Sequence, residues 1–285
     1  MDLSSSIMLL ILAVLVVVLV FLCAMLIYVI LQLRAQKRAN EETDARFSRI
    51  EKSGPVALTD AMLEALRRAT FSILDAEGHP VCCGFFVTPC GVALTAAHAC
   101  VHARPARAGR AFRASTHLGV EFSLEVVSPK VGDLDVAVLR VSGGAAALPP
   151  CGHLPLPSTS YSEQQLLGAS VALIHGSIAW SAGASVNKIA RNNGYIITST
   201  DSLIHYCIST YKGHSGAALL FRGGQVIGLH SEGFNDLDQE HSERSPSTSA
   251  DAVRLDVPQI WSAVQAAKAA PAAAAVATTI RRRPR

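Results

Sequence analysis

From Thr70 onward, short apolar runs of four to eight residues alternate with clusters of Gly, Pro, Ser and Asp. The runs read FSIL, GFFV, VALTAA, EFSLEVV, DVAVLRV, ASVALIHG, YIIT, GAALLF and QVIGLHS. Runs of that length bounded by turn formers predict strands, and their close spacing predicts an all-β domain. Helical signals flank it. Thr59 or Asp60 is an N-cap candidate before AMLEALRRA, where Met62, Leu63 and Leu66 make an amphipathic stripe. A last helix is expected over Val257–Ala267, with Pro258 in its first turn.

The N-terminal part has a different texture. Ile7 to Leu31 is a run of 25 residues without a charge. As a helix it reaches about 37 Å at 1.5 Å per residue, against about 30 Å of bilayer hydrocarbon. A cleaved signal peptide would need a basic leader, a shorter apolar core and a small-residue cleavage site. The leader here is MDLSSS, and no A-x-A pattern ends the run. A retained anchor, with membrane contact through residues 7–31, is the expectation. Arg34, Lys37 and Arg38 follow the span, so the positive-inside rule puts the bulk of the chain on the cytoplasmic side. The domain plan is then 1–33 anchor, 34–57 charged stalk and linker, 58–266 β-domain, and 267–285 a disordered Ala/Pro/Arg tail.

Composition adds little to this plan. Half the residues are hydrophobic and 16% are charged, an excess concentrated in the anchor. The net charge of +3 is spread along the chain, apart from the tail arginines 281–283 and 285, and no nucleic-acid partner is expected. Seven cysteines, two of them adjacent, form neither a dense disulfide framework nor a zinc pattern. Free thiols, no metal and no organic cofactor are expected.

Three segments carry chemistry, in the order His, Asp, Ser. They are Thr95-Ala-Ala-His98, Asp135-Val-Ala-Val-Leu139 and Gly213-His-Ser-Gly216, with gaps of 37 and 80 residues between the three key positions. A serine hydroxyl needs a base within hydrogen-bond reach to become a nucleophile at neutral pH. His98 suits that role, with Asp135 fixing its tautomer. Asp133 competes for the acid's place, but the V-A-V-L run follows Asp135 directly. Glycines around Ser215 allow a turn that aims the amides of Gly213 and Ser215 at a developing oxyanion.

Together these segments resemble the trypsin/chymotrypsin superfamily, over about Thr70 to Ala266. The resemblance implies two antiparallel six-stranded β-barrels and a serine endopeptidase acting on polypeptide substrates through an acyl-enzyme. It implies His98, Asp135 and Ser215 as the catalytic triad, and Gly213 and Ser215 as the oxyanion hole. Digestive-type members are activated when a new Ile-Val-Gly-Gly amino terminus pairs with an aspartate just before the serine. Here that position is His214 and no such cleavage sequence precedes the domain, so the chain is more similar to the high-temperature-requirement, glutamyl-endopeptidase and sobemovirus-type branches. Cys83 stands where many trypsins have a half-cystine, and Cys100 lies one residue beyond its usual partner's place, which leaves a bridge between them open.

The same resemblance marks a substrate site. Thr210 and His230 match a pair that glutamyl endopeptidases and some viral proteases use at the primary pocket, and Ser231 and Gly233 match the S-x-G strand on which substrate lies. The implied preference is Glu or Gln before the scissile bond. Ser209 supplies no carboxylate for Lys or Arg. Asp236, Asp238, Glu240 and Glu243 read as a solvated turn. Two rivals stand: a catalytically silent membrane scaffold of the same fold, and an α/β-hydrolase esterase, whose order would be Ser, acid, His.

Overall fold

The computed structural model describes residues 19–38, 41, 48, 54–102, 111–117, 119–143, 151–176, 189–211, 213–234 and 249–269. The chain divides into two units, Met1–Lys52 and Ser53–Arg285. In the first, helix α1 (Leu19–Arg38) has a mean hydropathy of 1.9 and no buried residue. Its 20 residues rise about 30 Å, enough to cross a bilayer. Residues 7–18 of the predicted span, most of the stalk, the acidic turn and the tail beyond 269 lie outside the described residues.

The second unit opens with α2 (Asp60–Ala69). Thr59 caps it, its side chain accepting the Met62 N–H at 3.2 Å, and Leu66 and Ala69 are its buried positions. Twelve described strands follow: β1 (Thr70–Leu74), β2 (Pro80–Phe86), β3 (Val92–Thr95), β4 (Ala111–Thr116), β5 (Glu121–Ser128), β6 (Ala137–Val141), β7 (Ser170–Gly176), β8 (Ile189–Ser199), β9 (Leu203–Cys207), β10 (Ala218–Leu220), β11 (Val226–Phe234) and β12 (Ser249–Arg254). Helices α3 (Ala97–His102), α4 (Glu163–Leu166) and α5 (Pro258–Ala269) and a 3-10 turn at Arg222–Gly224 complete the described elements. All pairings are antiparallel, and they close two barrels, β1-β2-β3-β6-β5-β4 and β10-β11-β12-β9-β8-β7.

Nine strands coincide with apolar runs; β4, β9 and β12 do not. In β4, Phe112, Ala114 and Thr116 point inward while Ala111 and Arg113 face solvent. In β9, Ile204 and Tyr206 are buried between less buried neighbours. β4 and β9 alternate rather than run, so they read as polar until the barrel supplies an inside, and β12 buries mainly small residues around Asp251. The last helix covers Pro258–Ala269, so the expected domain boundary at 266 falls within it.

The first barrel is filled by Phe71, Phe86 and Phe122, whose ring centroids lie 5.0 to 5.6 Å apart. Full burial of such a ring contributes about 1.5–3 kcal/mol. Outside the barrel, Glu125 of β5 and Arg140 of β6 form a shielded cross-strand pair. Arg140 also donates through Nη1 to the Ala267 carbonyl at 3.4 Å, tying the end of α5 to the sheet.

The barrels are stitched where β2 meets the segment carrying Ser215. Cys83 N–H donates to the Ser215 carbonyl at 2.8 Å, and Thr95 Oγ1 donates to the Cys83 carbonyl at 2.7 Å. A Cβ on Gly216 would lie 2.0 Å from that carbonyl oxygen, and Gly216 has φ 83°. Only glycine fits so close an approach. None of the seven cysteines forms a disulfide, so the Cys83–Cys100 bridge left open by the sequence is absent. Cys83 instead turns its thiol to the Gly213 carbonyl at 3.3 Å, within the second barrel's packing, while Cys100 packs in the first.

Candidate active site

The β3 strand ends at Thr95 and leads into α3, whose second residue is His98. The His98 N–H donates to Asp135 Oδ1 at 2.8 Å, and Ala97 N–H reaches the Asp135 carbonyl at 3.3 Å. Asp135 lies just before β6, the neighbour of β3, so one strand pairing brings the two together. His98 Nδ1 lies 2.6 Å from Asp135 Oδ2, and His98 Nε2 lies 2.9 Å from Ser215 Oγ. Ser231, in β11, donates its hydroxyl to Asp135 Oδ2. The three sequence candidates thus meet in one linear relay that spans both barrels. Asp133 is not part of it.

Electrostatics follow from these contacts. The Asp135 hydrogen bond raises the His98 pKa above its ordinary value, burial opposes it, and the Asp135 and Glu232 charges add to the rise. Burial tends to raise the Asp135 pKa, but hydrogen bonds from His98 and Ser231 outweigh it and hold the carboxyl below its ordinary value. A relay of this kind has Nδ1–H donating to the carboxylate and Nε2 free to accept the serine proton.

The turn before the nucleophile candidate is left-handed at Gly213, with φ 97°. Among the described residues, no backbone acceptor takes the N–H of Gly213 or of Ser215.

The expected pocket residues divide. Thr210 and His230 are both buried, at 3% exposure each. Ser231 serves Asp135 through its side chain, and its carbonyl lies 3.5 Å from Ser215 Oγ. Gly233 lies on β11 opposite Ala250 of β12. Two features escape sequence reasoning. Tyr206 of β9 places its hydroxyl 2.7 Å from His230 Nδ1. Burial, then the neighbouring His98 and His175, push the His230 pKa down to about 3, against the Asp251 carbonyl and Asp135. Beside it, His175 of β7 stacks on His214 with centroids 3.7 Å apart. No group of three or more His, Cys, Asp or Glu side chains suited to a metal occurs among the described residues.

Residues 82–229 match the family model of the trypsin-like peptidase domain. No curated protein is significantly similar to the chain. Among solved structures, the HtrA-type protease AlgW, determined with a decapeptide, is 15% identical with a TM-score of 0.51, over 73% of this chain and 68% of that one. A human pathogenic astrovirus serine protease is 16% identical with a TM-score of 0.48, over 72% of this chain and 95% of that one. The serine endoprotease from Yersinia pestis is 16% identical with a TM-score of 0.48, over 70% of this chain and 64% of that one. At these identities the likeness is one of fold.

Proposed function

The chain belongs to the trypsin-like peptidase family of serine-type endopeptidases, and from that premise we propose that it hydrolyses peptide bonds with His98, Asp135 and Ser215 as its triad. The observation that carries the reading is the continuous relay of 2.6 Å and 2.9 Å from Asp135 through His98 to Ser215. Ser215 Oγ attacks the scissile carbonyl carbon while His98 Nε2 takes its proton. The carbonyl oxygen becomes an oxyanion and accepts the N–H groups of Gly213 and Ser215. His98 then returns the proton to the leaving amine, and water repeats the sequence on the acyl-enzyme.

The same reading includes the pocket. With the Tyr206 hydroxyl donating to His230 Nδ1, the neutral imidazole carries its own hydrogen on the other nitrogen. Paired with Thr210 as in the resembled glutamyl endopeptidases, a neutral imidazole suits a side-chain oxygen of Gln or Glu and gives nothing to Lys or Arg. Because the imidazole has no charge to offer a buried carboxylate, Gln is the better fit of the two. Residues 7–31 anchor the enzyme in a membrane, and Arg34, Lys37 and Arg38 orient the protease domain to the cytoplasm.

Fluorophosphonate labelling and a peptide-library digest test the reading together. Ser215→Ala is expected to lose labelling and at least about 10⁴-fold in hydrolysis while keeping the β-rich fold. The wild-type digest is expected to show Gln and Glu before the cut. Hydrolysis by Ser215→Ala within about tenfold of wild type would remove the nucleophile. Cleavage after Lys and Arg would remove the pocket reading.

A further inference from the structure

Two amides can stabilise an oxyanion only while their peptide planes are held outward, and something must hold the segment from Thr210 to Gly216. Among its described residues that segment has no helix or strand apart from a bridge at Thr210. On the side of the first barrel it is pinned by Cys83, whose thiol donates to the Gly213 carbonyl and whose N–H donates to the Ser215 carbonyl. On the other side the contacts converge on His214, which is 4% exposed. His214 Nδ1 accepts the Tyr211 N–H at 3.2 Å, and the His214 N–H donates to the Tyr211 carbonyl at 3.1 Å. The His214 carbonyl accepts the Ala217 N–H at 2.9 Å. Its ring stacks on His175 at 3.7 Å and 28°, and meets the Tyr211 ring edge-on at 5.7 Å.

We propose that His214 is the positioning residue of the oxyanion turn, holding the Gly213 and Ser215 amides outward through its Nδ1 hydrogen bond to Tyr211, with the stack on His175 serving only to seat the ring. The proposal rests on Ser215 being the nucleophile. In digestive-type relatives an aspartate at this place is held by a newly cut amino terminus. Here the work is done by two stacked imidazole rings, one from β7 and one from the turn itself. Burial, then His175 and His230, push the His214 pKa down to about 2, so Nδ1 keeps its lone pair across the physiological range. No charge has to be neutralised at position 214.

The two contacts make different demands on the side chain. Asn carries its Oδ1 on Cγ, as His carries Nδ1, so it can accept the Tyr211 N–H. Phe preserves a flat ring against His175 and removes the acceptor. Oxyanion donors act in the transition state, so their displacement lowers kcat and leaves KM nearly alone.

The test uses the full chain in detergent, with fluorophosphonate labelling, kcat and KM on a peptide the wild type cleaves, and thermal unfolding of each variant. His214→Phe is expected to lose about 10²–10³ in kcat with KM within about threefold, and His214→Asn to recover to within about tenfold of wild type. A folded His214→Phe with kcat within about threefold of wild type overturns the proposal. If the Phe variant does not unfold cooperatively, the Asn variant decides. Folded with its thermal midpoint intact but with kcat down by about 10², it overturns the proposal; active, it upholds it. A wild type that neither labels nor hydrolyses overturns the nucleophile reading and this proposal with it. A labelled wild type with an unimpaired Phe variant overturns this proposal alone.

Discussion

His98 sits between two opposing influences, the Asp135 carboxylate that favours its charged form and the burial that disfavours it. The hydrogen bond to Asp135 is the larger, so the folded pKa lies above that of free imidazole. A general base must be unprotonated, so kcat/KM is expected to rise with pH through that raised value. Asp135→Asn takes away the carboxylate and reverses the hydrogen-bond polarity at Nδ1. The acidic limb should then move to lower pH, and kcat should fall by about 10⁴ at neutral pH. A pH–rate profile of the two proteins checks the sign. An acidic limb unmoved in the variant would mean that another group controls it. The three residues of the relay are legible in sequence because each sits in a short local motif. Tyr206 and Ser231 differ. Tyr206 reaches His230 only because β9 and β11 both flank β12, and Ser231 reaches Asp135 only across the two barrels. Nothing adjacent to Tyr206 in the chain announces its partner, and Ser231 reads as a substrate-strand residue.

At the scale of elements, the strands that escaped notice share one property. In β4 and β9 the inward side chains are Phe112, Ala114, Ile204 and Tyr206, separated by Arg113 and His205, while β12 buries the small Ser249, Ala250 and Ala252 around Asp251. A period of two over so few apolar residues is weak until cross-strand partners are present. Gly216, by contrast, is legible as a turn glycine, yet its role is larger than a turn. Its missing Cβ lets the nucleophile segment lie against the β2 backbone, with the Cys83 carbonyl 2.0 Å and Thr95 Oγ1 2.6 Å from where that atom would be. The carbonyl cannot rotate away without breaking its bond from Thr95, and φ 83° is strained for any L residue. Gly216→Ala is therefore expected to lower stability by about 3 kcal/mol or more and to abolish fluorophosphonate labelling. Thermal unfolding with parallel labelling measures both. A variant within about 2 °C of wild type that still labels would show that the barrels have room to separate there.

At the scale of the whole molecule, barrel closure is what turns a list of strands into a site. Six-stranded rings leave no free edges, and they bring β2 and the Ser215 turn together from positions 130 residues apart in the chain. Sequence texture foretold the class of the domain, and the motif order foretold the pair of barrels through family resemblance. The identity of the stitching atoms could not be read without coordinates, because Cys83 acts through its N–H, its carbonyl and its thiol at once. The N-terminal unit obeys other physics. Helix α1 leaves Leu19, Val20, Phe21 and Leu22 exposed, and its apolar stretch from Leu19 to Leu33 gains most by entering hydrocarbon. On the proposed topology Arg34, Lys37 and Arg38 stay on the cytoplasmic face, since moving them across would strip three charges of water. The protein is expected to resist carbonate extraction. In sealed vesicles with their cytoplasmic face outward, added protease should remove the Ser215 domain without detergent. An N-x-S/T acceptor inserted in an exposed turn of the domain should stay unglycosylated in that system. Glycan addition together with protection from protease would invert the topology and assign the domain to the lumenal side.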